Sequence, residues 1–315
     1  MKQHKDDKKD MESTFEKTEL LKAYSAWGAV CLFWGTTYLA IRIGVGVLPP
    51  ALFAGIRFTV AGFIFFIFLR LRGRSLPNRK AFLDAAVVGI ALLVTANGLV
   101  VWSEQWVPSG LAALIVATLP FWMAFFEGLL PSGDRLTLKK ISGILLGFCG
   151  LVLLFWPDLK GSLDMKYLTR VLVLFLAPCS WAAGSIYSKY RPVRTDPLMA
   201  ASLQMIIAGI ILLVIGASLG EWSRFTFDPV GLGAMIYLIL FGSIVGYGSF
   251  IYALSKLPAS KVSTYAYINP LIAVILGWLV LGERLDGWMI IGTVVVLLGV
   301  VIVNAERTPR KPAFH

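Results

Sequence analysis

The chemistry open to this chain is limited by what its apolar stretches contain. Its two histidines, His4 and His315, lie in the terminal segments. Neither a Ser–His pair nor an HExxH zinc site can therefore form at depth. Glu104 and Glu127 are the acids well inside apolar stretches, each near an end, and Asp84 sits at an entrance. Aspartyl catalysis needs two such carboxyls together. Cys31, Cys149 and Cys179 show no CxxC or ligand spacing and read as small packing residues. No enzyme activity, metal or cofactor is expected. What remains is a permanent charge, Arg57, inside PPALFAGIRFTVAGFIFFIFLRL. An arginine at the centre of a bilayer helix costs about 2.5–3.5 kcal/mol on insertion scales, so it must face an interior rather than lipid. Glu104 is its expected counter-ion by depth, with Asn97 two turns below on a similar face. The pair either closes the outer end of the bundle or takes part in substrate handling or gating.

The elements that must position these groups follow from composition. The 315 residues are 57% hydrophobic and 15% charged, with a mean hydropathy of +0.77, whereas a soluble domain carries about 25% charged residues. Lipid is therefore the expected solvent. The net charge of +11 is spread between apolar runs rather than gathered in one patch, so no nucleic-acid partner is expected. The opening MKQHKDDKKDMESTFEKTELLK lacks an apolar core and reads as a disordered or weakly helical tail, not a signal peptide. A spanning helix needs about 20 apolar residues. Ten such runs fall at 24–46, 51–70, 82–103, 109–130, 139–156, 168–188, 197–218, 230–254, 260–281 and 287–304. With the N-terminus in the cytoplasm, 22 of the 29 Lys and Arg lie on the inside, including Arg135, Arg194, Arg307, Arg310 and Lys311, and Lys160 is among the six outside. This places both termini in the cytoplasm.

The chain also repeats itself. At an offset of 147, Pro50, Ala54, Ala61 and Gly62 fall on Pro197, Ala201, Ala208 and Gly209, while Trp34 falls on Trp181, Arg42 on Lys189 and Arg57 on Gln204. At 150, Gly98, Trp102, Pro108 and Pro120 fall on Gly248, Tyr252, Pro258 and Pro270; at 149, Gly133-Asp-Arg-Leu136 falls on Gly282-Glu-Arg-Leu285. Five spans per repeat is an odd number, so the second half enters the membrane inverted, an arrangement that builds a midplane site between halves. The expectation is an all-α integral membrane protein of ten helices in two inverted five-helix repeats. Its parts are a charged cytoplasmic tail (1–22), the first repeat (23–156), the second (157–304) and a short basic cytoplasmic tail (305–315). Arg57 and Gln204 each lie seven residues, about 10 Å, from opposite faces, as if at two ends of one polar path.

FWGTTYLAIR at 33–42, PPALFAGIRF, ANGLVVWSEQWVPSGLAALIVATLP at 96–120 and YINPLIAVILGWLVLGERL at 267–285 resemble the EamA family of the drug/metabolite transporter superfamily, especially its YedA-like exporters. The resemblance covers nearly all of 24–304. It implies a ten-helix exporter whose central cavity is lined by spans one, three, four, six, eight and nine. The family handles amino acids, related metabolites and drugs, so it does not fix a substrate.

Within that frame Trp34 and Tyr38 share one face of span one. Trp181 and Ser185 share the matching face of span six. The two tryptophans either stack on an organic solute or fill the gap between helices. Asn97 and Trp102 on span three, Trp122 on span four, Gln204 on span seven, Tyr247 and Tyr252 on span eight and Asn269 on span nine extend the candidate lining. Each can equally serve as an interhelical hydrogen-bonding or packing residue. Together they describe an aromatic, amide-rich cavity with little charge, suited to small neutral or zwitterionic solutes. Arg57, Glu104, Pro120 and Pro270 are the coupling or gating candidates; the prolines are hinges or plain kinks. Gly143 and Gly147 form a GxxxG in span five that lets helices approach closely, within the bundle or in a homodimer. The expected activity is export of small organic metabolites, amino-acid-like or aromatic, or drugs, by alternating access. The alternatives are an importer, an exchanger or a channel-like facilitator.

Overall fold

The computed structural model describes residues 2–130, 137–154, 165–191 and 196–305. Gly133–Leu136 with Arg135, and likewise Lys160, Arg194, Arg307, Arg310, Lys311 and His315, lie outside the described residues. Those described form helices joined by short turns, with no strand among them. In chain order the helices are α1 (Lys2–Val45), α2 (Pro50–Leu71), α3 (Arg79–Gly89), α4 (Gly98–Ser103), α5 (Ser109–Val116), α6 (Leu119–Gly128) and α7 (Leu138–Leu154). The second half contributes α8 (Met165–Leu174), α9 (Leu176–Tyr190), α10 (Pro197–Ser218), α11 (Pro229–Tyr237), α12 (Gly248–Lys256), α13 (Ala259–Val262), α14 (Tyr265–Leu281) and α15 (Gly287–Ala305). Two π-helical segments, Ile90–Asn97 and Leu238–Tyr247, join α3 to α4 and α11 to α12.

Seven stretches of the described residues are long and apolar enough to cross a membrane: Thr18–Val45, Pro50–Leu71, Arg79–Ser103, Ser109–Gly128, Met165–Tyr190, Pro197–Ser218 and Pro229–Lys256. The apolar runs expected at 139–156, 260–281 and 287–304 form shorter helices, α7, α14 and α15. The fourth run is two helices, because the chain breaks at Ala117–Thr118, where the Thr118 hydroxyl bonds the Ile115 carbonyl at 2.7 Å. Pro120 then occupies the first turn of α6, where its missing N–H costs nothing. Pro270, by contrast, sits inside α14. The opening charged segment expected as a disordered or weakly helical tail is instead continuous with the first span, since α1 starts at Lys2.

Helix ends are closed by side chains. Asn78, Asp196, Asp228 and Asp286 each accept a hydrogen bond from a backbone N–H two or three residues on. Two glutamates of the second half cap helices of the first. Buried Glu221 accepts from the Leu52 N–H at 2.9 Å in α2. Glu283 accepts from the Ser109 N–H at 2.8 Å, its hydroxyl at 2.9 Å and the Gly110 N–H at 3.2 Å at the start of α5.

The halves meet most extensively where repeat mates touch. Gly55 of α2 faces Leu213 of α10, Gly62 faces Ile206, and Gly216 faces Leu52. The partner number falls as the first rises, so the two helices run antiparallel. α7 and α15 do the same, with Gly143 against Gly299 and Gly150 against Val296. A Cβ on Gly299 would stand 2.6 Å from the Gly143 carbonyl oxygen, so only glycine allows this approach. The GxxxG of span five thus serves packing within the bundle. Around these pairs, α1 packs on α14 and on the run from α11 through α12, while α9 packs on α6 and the Ile90–Asn97 segment. The first helix of each half therefore belongs to a bundle with the third and fourth spans of the other half.

Candidate functional site

Between those two bundles lies a small cavity, with about 60 Å³ of room for the centres of water molecules. Trp34, Thr37, Tyr38 and Ile41 line it from α1 at helical spacing, and Arg57 and Phe58 from α2. The Trp34 and Trp181 rings meet edge to face at 5.3 Å across the junction of the halves. Phe250 lies 5.2 Å from Trp34 and 5.4 Å from Trp181, and Tyr265 lies 5.2 Å from Trp34. The expected alternatives for the tryptophans, solute contact and gap filling, meet here: they touch each other and also face the cavity.

Both π segments end at a cavity residue. Asn97 closes one and Tyr247 the other, each just before a repeat-matched glycine, Gly98 or Gly248. A π turn widens the helix and shifts the register of the turns after it, and such turns recur at functional sites.

Arg57 is 3% exposed, and its Nε donates to the Ser243 hydroxyl at 2.9 Å. Its guanidinium lies 4.7 Å from the Phe58 ring centroid, within cation–π reach. Trp34 Nε1 donates to the Gly242 carbonyl at 3.0 Å. A Cβ on Gly242 would come within 2.9 Å of Arg57 Nη2, so a glycine there lets the guanidinium lie against the π segment. Glu104 lies within electrostatic reach of Arg57, as its depth led one to expect, but the two make no direct ion pair. Among the described residues no ion pair within 4 Å joins Arg57 to a carboxylate. Glu104 is fully buried with both carboxyl oxygens lacking a hydrogen bond, and its backbone carbonyl takes the bond from Arg42. Depth in the sequence brought Glu104 to the right level, while the nearer π segment of span eight supplied the partner.

Gln204 lies outside the central cavity. It lines a second, roomier one, with about 270 Å³ open to water centres, beside Asp84, Ser188 and Lys189. Tyr247, 1% exposed and lining the central cavity, donates its hydroxyl to Gln204 Oε1 at 2.6 Å. The Tyr247–Gln204 bond thus stands between the two spaces. Arg57 and Gln204, expected at two ends of one polar path, instead face different cavities, with Tyr247 between them.

The ends of the bundle are bridged by another pair of repeat mates. Arg42, at the end of α1, donates to the Glu104 carbonyl after α4. Lys189, at the end of α9, donates to the Leu257 carbonyl after α12 at 3.0 Å. Each bridge joins one bundle to the other, at opposite ends of the molecule.

Several expected lining residues lie elsewhere. Trp102 is 36% exposed and meets Trp106 edge to face at 5.1 Å, in the manner of an interfacial aromatic. Its mate Tyr252 donates to Glu19 at 3.1 Å beside Lys256, which fastens α12 to α1. Trp122 packs against Phe125, with ring centroids 6.5 Å apart. With its side-chain amide turned so that the nitrogen faces them, Asn269 donates to the Cys31 carbonyl at 3.0 Å and the Tyr265 carbonyl at 3.3 Å, which ties α14 to α1. Ser185 is fully buried outside the cavity. Glu127 accepts from the Tyr190 hydroxyl at 2.7 Å. Thr37, Phe58, Tyr265 and Gly242 were missed. Thr37 sits three residues from Trp34 on the same helix face, which was signal enough to find it, whereas Phe58 directly follows Arg57.

Residues 22–156 and 168–305 each match the EamA-like transporter family. The chain is 35% identical over 297 residues to the uncharacterized inner membrane transporter YedA of Escherichia coli K12, covering 93% of this chain and 95% of that protein. It is 27% identical to a probable amino-acid metabolite efflux pump of the same strain, covering 87% and 91% respectively. A solved crystal structure superposes with a TM-score of 0.65 at 18% identity, over 91% of this chain and 97% of that one, which shows a shared fold.

If the Tyr247–Gln204 bond is what separates the cavities, Tyr247→Phe will open a leak between them. In a background lacking Cys31, Cys149 and Cys179, a cysteine replacing Thr37 should react roughly 3- to 10-fold faster with a polar maleimide supplied from the Lys189 end, the range expected for losing one hydrogen bond. An unchanged rate would place the barrier elsewhere.

Proposed function

This chain belongs to the EamA-like transporter family, and we propose that it exports small zwitterionic or neutral organic metabolites, amino-acid-like or aromatic, or drugs. It is a multi-pass membrane transporter; substrate and direction are our reading. The observation that carries the reading is the aromatic-lined cavity between two bundles built from both halves, with a second cavity beyond Tyr247. Alternating access needs a central site that can be exposed to either side in turn. The bridges at Arg42 and Lys189 support it, because they hold opposite ends: one end opens by breaking the Lys189 bridge, the other by breaking the Arg42 bridge together with the Glu283 bonds to α5.

In this reading ten helices cross the cell membrane, the inner membrane in the terms used for the YedA relative, and the basic ends face the cytoplasm with both termini. The second cavity, at the Lys189 end, is then the cytoplasmic entry. The relative named as a probable amino-acid metabolite efflux pump supports export over import. A homodimer keeps little support, since the glycines of span five are used inside the chain. Glu104, buried with no hydrogen bond to either carboxyl oxygen among the described residues, is our choice for coupling flux to protons.

Two measurements test this. Untargeted analysis of medium from cells expressing the chain should show a metabolite that accumulates outside, and a Trp34→Ala/Trp181→Ala variant of equal membrane abundance should lose most of that accumulation. Equal accumulation would make the tryptophans packing residues alone, and no difference from empty cells would favour import or facilitated flux. In proteoliposomes, Glu104→Gln should abolish the dependence of flux on a pH gradient; a retained dependence would remove Glu104 from coupling.

A further inference from the structure

The two halves do not contribute to the cavity equally. Three pairs of repeat-matched residues bear on it: five of the six residues line it, and Gln204 is bonded to one of those. In each pair one member is bonded within the protein, while the other has a buried polar atom with no partner among the described residues. Trp34 Nε1 is held by the Gly242 carbonyl, whereas Trp181 Nε1 has no acceptor. Gln204 is held by Tyr247, whereas Arg57 Nη1 has no acceptor, although Arg57 Nε is fixed on Ser243. Tyr247 is held by Gln204, whereas Asn97 Oδ1 has no donor. The three residues with unmet atoms, Trp181, Arg57 and Asn97, all line the central cavity.

Buried polar atoms in folded proteins are almost always paired, and one without a partner calls for an explanation. Three on one cavity, each the unpaired half of a duplicated position, have a common one. Two are donors, one of them a fixed cation with no carboxylate within ion-pairing distance; the third is an acceptor. The complement of that set is an anion that accepts from two N–H groups and carries a donor of its own. Arginine and indole N–H groups suit a carboxylate. The remaining walls are aromatic, which suits an apolar body attached to it.

Building on the transport reading above, we propose that Arg57 and Trp181 bind the carboxylate of the transported solute and Asn97 accepts from a neighbouring donor group on it. The substrate class is then an organic carboxylate with an apolar body, not a neutral drug or an organic cation. The duplication supplies the division of labour: Gln204, Tyr247 and Trp34 hold the frame, and their mates bind. About 60 Å³ of room for water centres admits a carboxylate and a few waters in this conformation. The rest of a solute enters as the cavity widens.

The test uses the full chain in cells and in lipid nanodiscs. Arg57→Gln, Arg57→Lys and Trp181→Phe are compared with the parent at equal membrane abundance. Metabolites enriched in the medium by the parent should carry a carboxylate. Their export should fall about tenfold or more in Arg57→Gln, less in Arg57→Lys, and severalfold in Trp181→Phe, which keeps a ring but loses the N–H. Should Arg57→Gln fail to reach the membrane, the other two variants carry the comparison. Enriched metabolites without a carboxylate, or equal export by Trp181→Phe and Arg57→Lys, would overturn the assignment. If the parent enriches nothing, export itself fails and binding still decides the site. Phenylalanine and 3-phenylpropionate should then raise the unfolding temperature of the parent in nanodiscs while their methyl esters do not, with the shift lost in Trp181→Phe. Equal shifts for acids and esters, or none, would overturn it.

Discussion

In hydrocarbon every backbone N–H and C=O must find its partner inside the protein, and the architecture follows from that constraint. It makes the described chain helical throughout and requires each helix end to be closed. Asparagine and aspartate close ends locally, whereas Glu221 and Glu283 reach from the second half to close α2 and α5 of the first. Where carbonyls are left over after α4 and α12, Arg42 and Lys189 take them. The same bonds that satisfy the backbone therefore join the two bundles, so a movement of one against the other must exchange these bonds for water or for new partners.

The second consequence concerns the cavity. Small residues bring α2 against α10 and α7 against α15, which fixes the two halves along two antiparallel seams. The remaining spans lean on the opposite half and enclose the space between them. The π segments place Asn97 and Tyr247 on that space, and Gly242 leaves room for the Arg57 guanidinium. A charge that would be costly in lipid is held beside a hydroxyl and an aromatic ring instead.

Much of this could be read in the residues. The apolar runs and the matched prolines and glycines announced a duplicated membrane protein, and Trp34, Tyr38, Arg57, Asn97, Trp181 and Tyr247 do line one cavity. The failures have physical causes. Nothing in the residues of Ile90–Asn97 or Leu238–Tyr247 distinguishes a π turn from an α turn, because both satisfy the backbone within the segment. The partner of Arg57 was sought by depth alone, yet Ser243, 186 residues away, is nearer in space. Trp102 and Tyr252 match across the repeat, but both lie near helix ends, where an aromatic faces the interface or a neighbouring helix. Asn269 was placed in the lining because polar groups at depth are rare, and it proved to be a clasp between α1 and α14.

The most direct test of the central claim, that the two bundles move as alternating gates, is a pair of spin-label distances. One pair, at Val47 and Gln105, spans the Arg42 end; the other, at Arg191 and Ser255, spans the Lys189 end. Lys189→Ala should lengthen the second distance and leave the first short, and Arg42→Ala combined with Glu283→Ala should do the reverse. Distances that lengthen together at both ends, or that do not respond to either substitution, would contradict the account.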